Sequence, residues 1–190
     1  MNGLSAASNR SGRGVCWEEV HLAPLGAVAE LGALATSHVM TREEYIQQVK
    51  AVLDAHTERA ANRLAAALAA VPPKAQKVEI QIFVDQDGEG FLDVRVGLVG
   101  PDLFVLNRAI ADHAELFGTR MTEEGLEPAL PLMEPGGEAF SVRDTLSDCA
   151  ATWLPKVWGY TKRISFLLPI VVVSHDGYGA ITPFNLNHPA

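Results

Sequence analysis

The strongest constraint on the fold is a pair of short segments that alternate with a period of two. Val78, Ile80, Ile82 and Val84 interleave with Glu79, Gln81 and Phe83, and Leu92, Val94, Val96 and Leu98 interleave with Asp93, Arg95 and Gly97. That period is the mark of a strand with one buried face, because successive side chains point to opposite sides of a sheet. The stretch between them, DQDGEG, is made of turn formers, so the two strands are expected to pair as a hairpin. Parity narrows the pairing further. If both even-numbered sets face one core, paired positions must sum to an even number and the loop must hold an odd number of residues, unless a bulge intervenes. A two-residue Asp87-Gly88 turn would set Ile82 opposite Asp93. A three-residue loop, Gln86-Asp87-Gly88, sets Ile82 opposite Leu92, and is the pairing expected.

The same tip carries Asp85, Asp87, Glu89 and Asp93 at the first, third, fifth and ninth positions of a calcium loop, with Gly90 at the sixth. A calcium loop of that kind also needs a carboxylate at the twelfth position and a helix on each side. Here the twelfth residue is Val96 and both flanks are strand-like, so the tip is read as a solvated turn and no metal is expected.

The rest of the chain adds helices. The first 39 residues open with NGLSAASNRSGRG, a composition that favours disorder, and the folded unit is expected to span 40–190. Thr41 and Glu44 form a capping-box pattern. Ile46, Val49, Leu53, Ala60, Leu64 and Ala67 then mark one apolar stripe, predicting a long helix that runs to about Ala70 and stops at Pro72-Pro73. His56 within it reads as a partly exposed surface histidine. Leu103–Leu106 is expected to form a short third strand, with Asn107 capping a helix to about Phe117. Residues 122–137 read as an irregular connection with one short edge strand. Ser141 is expected to cap a second long helix with Val142, Leu146, Cys149, Trp153 and Val157 inward and Pro155 kinking or dividing it. The apolar run ISFLLPIVVV and the segment AITPF, separated by SHDGYG, suggest a second hairpin, with Pro169 favouring an edge or a bulge. These elements predict an α+β domain, a mainly antiparallel four- or five-stranded sheet with long helices packed on one face.

Composition excludes more than it identifies. With 15 basic and 23 acidic side chains the net charge is -8, which disfavours nucleic acid. The apolar runs are shorter than the roughly 20 residues a membrane-spanning helix needs. Cys16 and Cys149 form no metal or disulfide pattern, and a reducing cytoplasm suits them best. No phosphate-binding glycine loop and no nucleophile elbow is present in the sequence, and no cofactor is expected. Ser174-His175-Asp176 has the residue types of a hydrolase triad, but neighbours on a strand point apart and cannot form a relay. Cys149 reads as a buried thiol, and Asp112, His113 and Glu115 as solvated helix charges. No catalytic residue is assigned.

The motifs DQDGEGF, GPDLFVLNRAIADHAELF and SHDGYGAITPF, following a start at Met40, resemble an uncharacterised type of small bacterial α+β domain. More loosely, the chain is similar to acidic cytoplasmic immunity proteins, which neutralise toxins by covering their active sites. That resemblance implies recognition of a basic protein partner such as a toxin, and transfers no binding residues. The contact set expected from the residues themselves is Asp85, Asp87 and Glu89 on one tip and His175, Asp176 and Tyr178 on the other, provided both emerge at the same end. Two alternatives stay open. One is a small enzyme or ligand-binding domain with His175, Asp176 or His113 in a cleft, and the other is a structural homodimer joined through the second long helix or a strand edge.

Overall fold

The expected hairpin lies inside the main sheet. In the computed structural model, which describes residues 40–84, 90–133, 139–161 and 166–187, Lys77–Val84 (β1) pairs antiparallel with Leu92–Val99 (β2). Val84 lies opposite Leu92 and Ile82 opposite Val94, so the even-numbered side chains share one face and the connecting loop is odd. The register nevertheless differs by two from the expected one, since any odd loop satisfies parity and the connection is longer than three residues. Asp85, Asp87 and Glu89 fall within 85–89 and lie outside the described residues.

Helix formation follows the apolar stripe, but not as one rod. Arg42–Ala55 (α1) begins with the expected capping box, Thr41 Oγ1 accepting the Glu44 N–H while Glu44 Oε2 accepts the Thr41 N–H. At His56 the ladder breaks. Its N–H turns to the carbonyl of Leu53, its ring Nδ1–H donates to the carbonyl of Val52 at 2.8 Å, and a second helix, Thr57–Ala69 (α2), starts immediately. Val49, Leu53, Ala60, Leu64 and Ala67 are fully buried, while Ile46 only packs against the core from its edge.

After β2 the chain departs further from expectation. Leu103–Ile110 (α3) is a helix and not a strand, capped by the Asp102 side chain on the Val105 N–H. Asn107 sits inside it and caps nothing at its start. Its side chain instead accepts the Leu98 N–H at 2.9 Å and donates to the Leu98 carbonyl at 3.1 Å, imitating a neighbouring strand and binding α3 to β2. A 3-10 turn, Ala111–His113, leads into Glu115–Gly118 (β3), so Phe117 and Glu115 belong to a strand. β3 pairs with β2 through a bulge that lets consecutive Leu116 and Phe117 both be buried. The following segment forms a small separate hairpin, Arg120–Thr122 (β4) with Gly125–Glu127 (β5), rather than a single edge strand.

Val142–Tyr160 (α4) is one helix, capped by Ser141 and continuous through Pro155. Val142, Leu146, Cys149, Trp153 and Val157 are all buried in it. It packs on α1, α2 and β1, and Lys156 reaches Asp54 of α1 at 2.8 Å. No described helix is long and apolar enough to cross a membrane.

Ile170–Ser174 (β6) then pairs parallel to β1, and Phe184–Asn185 (β7) pairs antiparallel to β6. The sheet order is β3-β2-β1-β6-β7, five strands of mixed direction where a mainly antiparallel sheet is expected, the parallel pair being β1 and β6. β6 is therefore internal. Pro169 is tolerated because it precedes the first paired residue, where its carbonyl still accepts the Val78 N–H at 3.0 Å. The even-numbered side chains of β1 and β2 face the helices, leaving Glu79, Gln81, Phe83, Asp93 and Arg95 on the opposite face, half-buried or exposed.

Candidate functional site at one end of the sheet

Parallel pairing of β1 and β6 has a direct geometric result. Both strands leave the sheet at the same end, so the 84–92 connection and the turn after Ser174 emerge side by side. The His175 N–H continues the ladder by donating to the Ile82 carbonyl at 2.9 Å, and its ring lies 4.6 Å from that of Phe83, tilted by 48°. His175 and Asp176 are both exposed, and Gly177, with φ of 75°, closes the turn onto the Ser174 carbonyl. Ser174 lies on the β6 face opposite to Val173 and its hydroxyl is buried without a partner among the described residues, so Ser174 and His175 form no relay.

Tyr178 is held by α4 rather than by the strand ends. Arg143 Nη1 donates to its hydroxyl at 3.2 Å, with the guanidinium carbon 5.5 Å from the ring centroid, and Ser147 Oγ donates to its carbonyl at 2.8 Å. The next residues are clamped by two carboxylates. Asp144 accepts the Gly179 N–H, and one oxygen of Asp148 accepts both the Ala180 and Ile181 N–H groups. The Gly179 amide, followed by the Ser141 hydrogen bond, holds the Asp144 carboxyl below its ordinary pKa. The structure thus brings His175 onto the root of the acidic connection and fixes Tyr178 on the helix.

A charged cluster on the open face of the sheet was not legible beforehand. Asp93 Oδ2 takes Arg95 Nε at 2.5 Å, and Glu115 is bonded by Arg95 at 3.5 Å and by Arg120 at 3.1 Å. Gly118 lies opposite Asp93, leaving room where a Cβ would press on the Glu115 carboxyl at 3.3 Å. Burial, and more weakly the charge of Glu115, push the Asp93 carboxyl above its ordinary pKa against the pull of Arg95. Its Oδ1 is buried with no partner among the described residues. A carboxyl that binds its proton more tightly folded than unfolded loses stability as the pH rises from the unfolded pKa through the folded one. Asp93→Asn should therefore raise the melting temperature near pH 7, and the gain should vanish by about pH 3, below both pKa values. Thermal melts of the two proteins at both pH values check this.

Outward from this cluster, a groove follows β3. One part, about 640 Å³, is lined by Glu58, Arg59, Asn62, Arg63 and Ala66 of α2 together with His113. A second, about 420 Å³, lies between His56, Arg59, Glu115 and the β4–β5 hairpin, and a recess of about 50 Å³ opens between His56, Arg59, Leu116, Phe117 and Pro128. Of the histidines and acids expected in a cleft, His113 lines this groove, while His175 and Asp176 line none of these cavities. Among the described residues no group of three or more His, Cys, Asp or Glu side chains could hold a metal ion. Burial raises the Cys149 thiol to about 11, leaving it protonated at neutral pH.

No curated protein and no solved structure matches the chain. Residues 40–188 do match the model of a family of unknown function, DUF6389, and the chain belongs to that family.

Proposed function

We propose that this domain is a non-catalytic recognition module whose acidic sheet end binds a basic protein. The observation that supports it most is the parallel pairing of β1 with β6, which brings two connections to one end of the sheet. The first contains Asp85, Asp87 and Glu89 in sequence, the second contains Asp176, and neither DQDGEGF nor SHDGYG contains a lysine or arginine. Such a concentration of one charge sign attracts a basic partner during encounter and disfavours acidic ones. The exposed His175 ring on Phe83 supplies an aromatic contact beside those charges. A toxin is the partner that the immunity-protein resemblance suggests, and covering its active site would be the mode of action.

Charge reversal tests the assignment. The full chain and its Asp87→Lys/Glu89→Lys variant, immobilised side by side, are expected to differ in capture of a basic protein from the native host. The affinity of that purified partner should fall about tenfold or more, mainly through slower association, and the loss should shrink with added salt. Equal affinity of the two proteins at low salt would remove these residues from the contact set. The ligand-binding alternative is favoured by one specific observation, His113 in the groove beside Arg59 and Arg63.

A further inference from the structure

Arg59 differs from the other groove arginines in having no internal role. Arg63 donates to the main-chain carbonyls of Glu115 and Asp112, and Arg95 and Arg120 both serve the Glu115 carboxylate. Arg59 has no hydrogen bond or ion pair among the described residues, is exposed, and lines both parts of the groove as well as the recess between them. One turn earlier, His56 is fixed in orientation. Its Nδ1 must carry the proton donated to the Val52 carbonyl, and its ring stands edge-on to Phe117 at 5.3 Å and 89°. Nε2 is thus left as the free polar atom of a ring that lines the recess.

The walls and the mouth of this recess differ in chemistry. Leu116, Phe117 and Pro128 form apolar walls, and Arg59, His56 and Arg120 surround the adjoining groove. The acids present are Glu115, whose charge is already matched by two arginines, and Glu58 and Glu127 at the rims. We infer that this recess binds a small organic monocarboxylate, its carboxylate on the Arg59 guanidinium and its short apolar body against Leu116, Phe117 and Pro128, beside the His56 ring. A guanidinium fork matches a planar carboxylate in two parallel hydrogen bonds. A phosphate dianion fits less well, because Glu58 and Glu127 repel the second charge and the walls offer it no donors. The site is independent of the acidic sheet end.

The test uses the full-length chain and two probes, sodium isovalerate and inorganic phosphate, followed by side-chain NMR of Arg59 Nε–H and the His56 imidazole. Isovalerate is expected to shift both sets of signals saturably, and Arg59→Gln to weaken its binding by at least about tenfold, the loss of one charge-assisted pair. Because Arg59 is exposed, the variant should keep the wild-type melting temperature, and Arg59→Lys should recover only part of the affinity. No saturable shift with isovalerate, equal binding to the Gln variant, or tighter binding of phosphate than of isovalerate would each overturn the inference.

Discussion

Replacing Trp153 with alanine is expected to lower the stability of the domain by about 3–5 kcal/mol, the range for emptying a buried indole site. Trp153 is 4% exposed and belongs to α4, yet it connects three other elements. Its Nε1–H donates to Thr57 Oγ1 at the start of α2 at 3.0 Å, and Thr57 in turn donates to the Leu53 carbonyl of α1. Its ring meets that of Phe117 on β3 at 6.1 Å and 73°, near the edge-to-face geometry that aromatic pairs prefer. Trp153→Phe separates the contributions. It keeps most of the apolar contact and removes the donor, while the Thr57 hydroxyl still has Leu53, so it should cost the smaller part, with roughly 1 kcal/mol from the hydrogen bond. Urea unfolding with an unchanged denaturant slope checks both values.

Gly179→Ala is expected to cost about 3 kcal/mol, from a left-handed backbone that disfavours a Cβ and from hydrogen bonds to a carboxylate that must move. Gly179 has φ of 84°, and a Cβ there would stand 2.6 Å from Asp148 Oδ1 and 3.0 Å from Ser147 Oγ. That same Asp148 oxygen receives the Ala180 and Ile181 amides, so it cannot withdraw without releasing the segment. Gly177 is the internal comparison. Its φ of 75° is similar, but no atom lies within 4 Å of the missing Cβ, so Gly177→Ala should carry only the backbone cost of about 1–2 kcal/mol. Melting curves of both variants measure the difference, and equal losses would show that the Asp148 contact contributes nothing.

The parts of this fold that could be read beforehand are those set by local periodicity. Alternation from Val78 to Val84 and from Leu92 to Leu98 fixes which side chains are buried, and parity requires an odd loop, but three, five or seven residues all comply. Local periodicity does not choose among them. Gly90, with φ of 113°, lies where a Cβ would come within 3.1 Å of the Pro131 carbonyl, a neighbour that no local pattern announces. The break at His56 was concealed because Leu53 and Ala60 are seven residues apart, which keeps the stripe in phase across it. Leu103–Leu106 is too short an apolar run for periodicity to decide, and Asp102, a residue type favoured at helix starts, was the available signal for a helix.

The site divides in the same way. The acids and the SHDGYG turn are visible as composition, whereas their common end depends on a parallel pairing between strands separated by more than eighty residues. The Asp93, Arg95, Glu115 and Arg120 cluster was hidden once Glu115 was assigned to a helix, since only a strand brings it opposite Arg95. The groove beside Arg59 required the β4–β5 hairpin, whose strands of three residues each contain too little alternation to read.

Hydrogen exchange of the full chain, free and bound to its captured partner, tests the proposed recognition most directly. Slowed exchange confined to residues 84–92 and 174–178 is the expected footprint. The opposite end of the sheet offers a clear contrast, because α3 presents Leu103, Phe104 and Val105 at 56%, 76% and 58% exposure. Protection over those three residues, with both acidic connections exchanging as fast as in the free protein, would contradict the account.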